Sequence, residues 1–120
     1  MLAKRDDVIV PQGATYRRVY QLLDTDLTGY AVHSQFRDRP NGTVLLDLSH
    51  PPVNGSGITV DVQQTDDGRP ITILTVLALQ DLTTPLAPGT AVHDIKITSP
   101  GGEADRIVEG IVMITAEVTQ

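Results

Sequence analysis

Apolar and polar residues alternate along most of the chain with the period of two that is typical of half-buried β-strands. The alternation is strictest over 58–63, where Ile58, Val60 and Val62 form one apolar face. Similar runs predict further strands over about 5–10, 15–23, 30–38, 43–48, 71–77, 90–98 and 104–118, with glycine and proline in the turns between them. The pattern therefore predicts an all-β fold of about seven to nine mostly antiparallel strands.

One segment departs from this pattern. Leu79, Leu82 and Leu86 recur three and four residues apart, which predicts one short helical turn near 79–86 that closes an end of the core. In the strand over 15–23, alternation alone does not identify which face is buried. We expect Val19 and Leu23 to point inward.

The last predicted strand is apolar on both of its faces. One face carries Val108, Val112 and Ile114, and the other carries Ile107, Ile111 and Met113. Because a sandwich covers only one face of each sheet, the second face is available to a subunit or a neighbouring domain. Ile111 and Met113 are therefore candidate interface residues.

Composition supports the strand pattern and indicates one domain. Val, Ile and Thr together make up 36 of the 120 residues, and their stiff, branched side chains suit pleated strands. About eight short strands with regular turns are typical of an immunoglobulin-like β-sandwich, with a small barrel as the weaker alternative. No linker divides 1–120, and the charged segment from Lys4 makes 1–7 a candidate N-terminal arm that reaches a neighbour, with Lys4 and Arg5 as interface candidates.

The charge balance excludes some partners. The chain has 15 acidic and 9 basic residues, a formal net charge of -6, and this charge repels phosphate backbones. No apolar run approaches the roughly 20 residues of a membrane-spanning helix, and the first residues lead into charge instead of a signal-peptide core. We therefore expect neither a nucleic-acid partner nor a membrane partner.

Five arginines can be arranged as a basic stripe across adjacent strands: Arg17, Arg18, Arg37, Arg39 and Arg106. Arginines in such positions more often pair with Asp and Glu or protect a sheet edge. We favour the pairing interpretation, and we keep Arg17 and Arg37 as interface candidates.

Candidate chemistry is sparse. His33, His50 and His93 lack the spacing of a metal site, and we expect His93 to be a packed ring satisfied by one hydrogen bond. Acidic residues in turns, such as Asp24 and Asp26, are typical of turn hydrogen bonds rather than of a calcium loop. Cysteine is absent, and no serine lies in a nucleophile elbow. We predict no catalytic, cofactor-binding or metal-binding residues.

Short motifs in a fixed order cover nearly the whole chain. They are Gly13-Ala14-Thr15, Asp26-Leu27-Thr28-Gly29-Tyr30, Phe36-Arg37, Ile58-Thr59-Val60, Leu86-Ala87-Pro88-Gly89, His93-Asp94-Ile95-Lys96-Ile97, Arg106-Ile107-Val108-Glu109-Gly110 and Glu117-Val118-Thr119. This layout resembles small phage structural proteins and the N-terminal domains of phage baseplate, tail-fibre and head-associated proteins. Members of that group often carry tyrosine where His93 stands, so the chain departs from them there.

The resemblance implies a non-enzymatic immunoglobulin-like sandwich that assembles with copies of itself, as a homo-oligomer, or with other virion structural proteins. It implies a place in the virion, after assembly in the host cytoplasm, and leaves open the tail or baseplate, the head-tail connection and capsid decoration. The alternative function is a carbohydrate-binding or adhesive sandwich, in which exposed aromatic rings stack on sugars. Because the chain has only 4 aromatic residues, some of which we expect in the core, this alternative is weaker.

Overall fold

Burial alternates along most strands, so each sheet has an inner and an outer face. The computed structural model describes residues 3–117, and the strands in this range form two sheets packed face to face. The large sheet has the order β5-β4-β8-β9, with β1 and β2 both along the free side of β9, and the small sheet has the order β3-β7-β6. The elements are β1 (Lys4–Arg5), β2 (Val8–Pro11), β3 (Tyr16–Leu23), β4 (Ala31–Arg37), β5 (Val44–Ser49), β6 (Gly57–Gln64), β7 (Pro70–Ala78), α1 (Gln80–Thr83), β8 (Gly89–Thr98) and β9 (Ala104–Thr115).

Strand pairing confirms the predicted all-β sandwich. All neighbouring strands run antiparallel except β1 and β2, which pair with β9 in parallel. A three-stranded sheet facing a larger one, with an N-terminal strand beside the last strand, is the arrangement of immunoglobulin-like domains. The predicted helical turn is confirmed as α1, where the buried Thr83 hydroxyl donates to the Ala14 carbonyl oxygen at 2.7 Å.

The core lies between the sheets and includes few rings. Phe36 packs edge-on against Tyr16 and against His93, with ring centroids 5.5 Å and 5.9 Å apart. His93 is buried, and its Nε2 lies 2.6 Å from the Asp6 carbonyl oxygen. The expected packing role of this ring is therefore confirmed, and the core is completed by aliphatic side chains from both sheets, among them Ile95 and Leu74.

The expected facing of β3 is wrong. Tyr16 and Tyr20 are buried, whereas Val19 and Leu23 are exposed on the outer side of the small sheet. The tyrosine rings bury more apolar area than the aliphatic side chains would, and the Tyr20 hydroxyl keeps a partner because it donates to Asp6 Oδ2 at 2.7 Å. Burial of the ring is the largest cause that raises the pKa of Tyr20.

Two aliphatic side chains also differ from their expected faces, because the strand register shifts beside them. Ile107 joins the core, since the pairing of β8 with β9 shifts so that Ile95 faces Val108 and the next β8 residue faces Arg106. Alternation along 43–48 places Val44 on the same face as Leu46 and Leu48, but Val44 is exposed because the pairing of β4 with β5 shifts between Phe36 and Arg37. Both shifts are β-bulges, which turn side chains to the other face of a sheet.

The segment interpreted as an N-terminal arm lies along its own sheet. Lys4 and Arg5 pair with Val108 and Glu109 of β9, so they form a strand of the molecule's own sheet rather than a free arm. Contact of this segment with a neighbouring protein stays a prediction. Met1 and Leu2 lie outside the described residues, as do Val118 and Thr119 at the other end.

Between β1 and β2, Asp6 links the two sheets at their shared edge. Its carboxylate accepts a hydrogen bond from Arg18 Nε of β3 at 2.9 Å as part of a two-point ion pair. The hydrogen bonds from Arg18 are the largest cause that holds the pKa of Asp6 below its ordinary value. Gly110 of β9 makes this path possible, because a Cβ there would lie 2.0 Å from the Asp6 carbonyl oxygen.

Candidate interaction surface

The outer face of the large sheet carries a groove of about 450 Å³. Strand alternation produces its floor, since every second residue of β4, β8 and β9 points away from the core. One wall is the turn between β4 and β5, and the other is β1. We call this feature the outer groove; it is lined by Arg5, Gln35, Arg37, Pro40, Asn41, Val92, His93, Asp94, Arg106, Glu109, Gly110 and Ile111.

A tight turn holds the wall formed by Pro40 and Asn41. Asn41 has a left-handed backbone with φ of 59°, which asparagine tolerates better than most residues. The Gly42 amide donates to the Arg39 carbonyl oxygen at 2.8 Å, and the Thr43 amide donates to the Asp38 carboxylate at 2.9 Å. The wall is therefore fixed by its own hydrogen bonds.

Arg37 is positioned inside the groove by two hydrogen bonds. Its Nη1 donates to the Gly42 carbonyl oxygen and its Nη2 donates to Gln35 Oε1, each at 2.7 Å. The side chain is half-buried. These contacts hold the guanidinium in one orientation beside the groove.

Other charged groups in the groove and beside it form ion pairs. Arg106 contacts Asp94 at 3.2 Å and Glu109 at 3.6 Å, and Arg5 contacts Asp7 at 2.9 Å. The hydrogen bond with Asp7 is the largest cause that raises the pKa of Arg5. Opposite charges therefore alternate along this part of the surface.

The favoured interpretation of the basic stripe, ion pairing, is confirmed for three of its arginines. Arg18 pairs with Asp6, Arg39 with Asp38, and Arg106 with two carboxylates. Arg17 lies on the outer side of the small sheet, beside Leu77 of β7. The five arginines therefore do not form one stripe.

Three exposed apolar residues continue the groove along β9 and β2. Ile111 is 41% exposed, Met113 is 51% exposed and Ile9, which is paired in register with Met113, is 65% exposed. We call these three residues the outer strip. The groove and the strip together form a surface that is charged at one end and aliphatic at the other.

The structure brings together three of the predicted interface residues and separates the others. Arg5, Arg37 and Ile111 line the outer groove, and Met113 lies in the strip next to it. Lys4 is exposed at the sheet edge beside Val108. Arg17 belongs to the opposite face of the molecule, together with the exposed Val19 and Leu23.

Sequence reasoning missed several groove residues, among them Gln35, Val92, Asp94 and Glu109. A signal was present in β8, where the alternate residues Ala91, His93, Ile95 and Ile97 form one face in the sequence. Val92 and Asp94 occupy the intervening positions, which alternation assigns to the outer face. The turn residue Asn41 carried no comparable signal, because its place over the sheet depends on the three-dimensional path of the turn.

The three histidines lie in separate environments. His33 contacts the Asp47 carboxylate on the outer face, His50 Nδ1 lies 3.0 Å from the Ile58 carbonyl oxygen, and His93 is in the core. Within residues 3–117 no group of three or more His, Asp or Glu side chains is placed to hold a metal ion. In the same part of the chain, no helix has the length and apolar character needed to cross a membrane.

Comparisons with known proteins inform the fold only. No family model matches the chain, and no curated protein matches it. Among solved structures, the chain is similar to a family 123 glycoside hydrolase from Clostridium perfringens that was studied for glycolipid glycan hydrolysis, with a TM-score of 0.53 and 8% sequence identity. The similarity covers 97% of this chain but only 24% of the hydrolase. The chain therefore shares a sandwich fold with about a quarter of that enzyme.

Proposed function

We propose that the chain is a non-enzymatic structural protein of a phage virion that acts through protein–protein contacts. The motifs that resemble small phage structural proteins motivate the virion assignment, with the tail or baseplate, the head-tail connection and capsid decoration as its candidate stations. The observation that carries the assembly role is the outer strip, Ile9, Ile111 and Met113, beside the outer groove.

The outer strip supports contact with another protein because its residues are adjacent. Exposed apolar residues scattered singly are ordinary on protein surfaces, whereas contiguous apolar patches mark interaction sites. Ile9 and Met113 are register partners on neighbouring strands, and Ile111 is two residues along β9 on the same face. A partner that covers them removes apolar surface from water and gains the corresponding free energy.

Purified virions test this proposal. Particles are collected by density gradient from a host that carries the gene, and their proteins are identified by mass spectrometry. We expect the chain to copurify with particles at a fixed stoichiometry. Its absence from intact particles would contradict the virion role.

Matched variants test the surface that makes the contact. Met113→Asp places a charge in the outer strip, and Val53→Asp places the same charge at an exposed apolar residue in the loop between β5 and β6. We expect Met113→Asp to reduce incorporation into particles and Val53→Asp to leave it unchanged, with thermal unfolding confirming that both variants fold. Equal incorporation of the two variants would exclude the strip as the contact.

Carbohydrate binding is the second candidate function, and polar groove residues such as Gln35 and Asn41 favour it, since their amides can hydrogen-bond sugar hydroxyls. Against it, Tyr16, Tyr20 and Phe36 are buried and are not available to stack on a sugar ring. We expect a panel of soluble glycans to leave the melting temperature unchanged; a saturable rise would favour glycan binding.

A further inference from the structure

Arg37 is unusual among the arginines of this chain. Of the seven arginines in the sequence, five have a carboxylate within 4.0 Å: Arg5, Arg18, Arg39, Arg69 and Arg106. Within residues 3–117, Arg17 and Arg37 have none. Arg17 is exposed, whereas Arg37 is half-buried and held by two hydrogen bonds. The chain therefore positions one arginine beside a groove without giving it a negative partner.

The remaining hydrogen-bond capacity of Arg37 suits a carboxylate. A guanidinium carries five N–H groups, and the bonds to Gly42 and Gln35 use two of them. A carboxylate accepts two parallel N–H bonds from such a fork, and these charge-assisted bonds are stronger than neutral ones. A phosphate dianion fits less well, because Asp94 and Glu109 also line the groove and repel a double negative charge more strongly than the single charge of a carboxylate.

Aliphatic residues continue from Arg37 across the sheet. Arg37 is in register with Val92 of β8, and Val92 is in register with Ile111 of β9. Arg37 and Ile111 are two strand spacings apart, a distance of about 10 Å across the sheet. Alternate side chains of an extended chain point to the same side and lie about 7 Å apart. A residue and the second and fourth residues after it therefore extend over about 13 Å, which is enough to reach from Arg37 to Ile111.

We propose that the outer groove binds an extended segment of another virion protein, in which a carboxylate contacts Arg37 and the aliphatic side chains that follow contact Val92 and Ile111. This inference rests on the proposed function and names the chemistry of the partner. A second copy of the chain is disfavoured as the occupant, because two copies of net charge -6 repel each other and because a groove accepts a protruding segment.

A synthetic peptide tests the inference directly. The probe is acetyl-Asp-Thr-Leu-Thr-Leu-amide, and its control carries asparagine in place of the aspartate. Both are titrated into the isotope-labelled full chain, and NMR follows the Arg37 side-chain N–H and the methyl groups of Val92 and Ile111. We expect saturable shifts at all three residues and an affinity about tenfold higher for the aspartate peptide.

Two variants assign the effect to Arg37. Arg37→Gln removes the guanidinium from the groove, and Arg17→Gln removes the other arginine that lacks a carboxylate, on the opposite sheet. We expect Arg37→Gln to abolish the preference for the aspartate peptide and Arg17→Gln to preserve it. If Arg37→Gln fails to fold, the comparison of the two peptides on the unmodified chain still tests whether the groove prefers a carboxylate.

The inference is overturned if both peptides bind equally, if neither binds, or if Arg17→Gln has the same effect as Arg37→Gln. Sodium acetate at the same concentration tests whether a free carboxylate is enough. If acetate causes the same NMR shifts as the aspartate peptide, the groove binds small anions, and the inference of a protein segment is overturned. The virion experiment above is independent of this one. If the chain is present in particles but does not bind the peptide, only this inference is overturned. If the chain binds the peptide but is absent from particles, the virion role is overturned.

Discussion

Asp6 joins three elements, β3, β8 and β9, at one edge of the sandwich. It accepts hydrogen bonds from Arg18 and from the Tyr20 hydroxyl of the small sheet, while its own backbone belongs to the edge of the large sheet. The Asp6 carbonyl oxygen also contacts the buried His93. One residue therefore ties the N-terminal segment both to the core and to the opposite sheet.

Substitution of Asp6 tests this link. We expect Asp6→Asn to lower the free energy of unfolding by about 1–3 kcal/mol, because hydrogen bonds to a charged group are stronger than neutral ones and Arg18 loses its counter-charge. Urea denaturation measures the difference. Asp61→Asn is the matched control, since Asp61 is an exposed residue of β6 and accepts only from the Gln63 side chain among the described residues. We expect it to change stability by less than about 0.5 kcal/mol.

The same ion pair predicts a pH dependence. The hydrogen bonds from Arg18 are the largest cause that holds the folded-state pKa of Asp6 below 3.8. A depressed folded-state pKa stabilises the fold above the unfolded-state pKa, and that contribution falls as the pH drops through the folded-state value. We expect the stability difference between the unmodified chain and Asp6→Asn to be constant at about pH 5–7 and to shrink below about pH 4. A difference that persists unchanged in strong acid would contradict the ion pair as its source.

Two isoleucines on opposite sides of the large sheet give a second residue-level test. Ile95 is 1% exposed and Ile9 is 65% exposed. We expect Ile95→Ala to destabilise the fold by about 2–5 kcal/mol, because it leaves a cavity in the core. Ile9→Ala should change stability by less than about 0.5 kcal/mol. A loss below about 1 kcal/mol for Ile95→Ala would contradict its place in the core.

At the level of elements, periodicity predicted the strands well and their facing less well. The short helix and most strand positions follow from local spacing, which needs no knowledge of the rest of the chain. The facing of β3 depends on Asp6, an acceptor 14 residues away from Tyr20, and alternation carries no information about it. The outward turn of Val44 likewise depends on a bulge, which arises from strand pairing rather than from local sequence.

Gly110 lies where β1 and β2 pair with β9, and its lack of a side chain lets the backbone of Asp6 approach closely. We expect Gly110→Ala to destabilise the fold by about 1–3 kcal/mol, because the new methyl group collides with the backbone of Asp6 and overpacked sites carry costs of this size. Hydrogen exchange should then show lost protection at the Asp6 amide, which bonds Glu109 in the unmodified chain. Gly101→Ala is the control, because its nearest neighbour would lie 3.8 Å away, and equal losses in the two variants would contradict the close approach.

At the level of the whole molecule, each sheet leaves apolar residues on its outer side. Ile9, Ile111 and Met113 lie on the large sheet, and Val19 and Leu23 lie on the small one. The apolar outer positions Ile111 and Met113 could be predicted because the four consecutive residues 111–114 are all apolar. The groove beside them could not be predicted, since its two walls are a turn and β1, which lie on the same face of the sheet only in the folded molecule.

Light scattering at several concentrations tests whether these outer faces bind each other. We expect the mass of a single chain throughout, because the proposed occupant of the groove is a different protein and the net charge of -6 opposes self-association. A discrete symmetric oligomer would instead mean that one outer face is complementary to itself. In that case Met113→Asp and Leu23→Asp would identify which sheet forms the contact.

The parallel pairing of β1 and β2 with β9 has a consequence for the order of folding. The Asp7 carboxylate accepts a hydrogen bond from the Ile111 amide, 104 residues further along the chain. During synthesis the N-terminal strands emerge early and remain without their sheet partner until β9 has left the ribosome. Contacts of such long sequence separation slow folding, so we infer that closing this edge is a late step, during which the aliphatic strand β2 is exposed to chaperones and to other nascent chains.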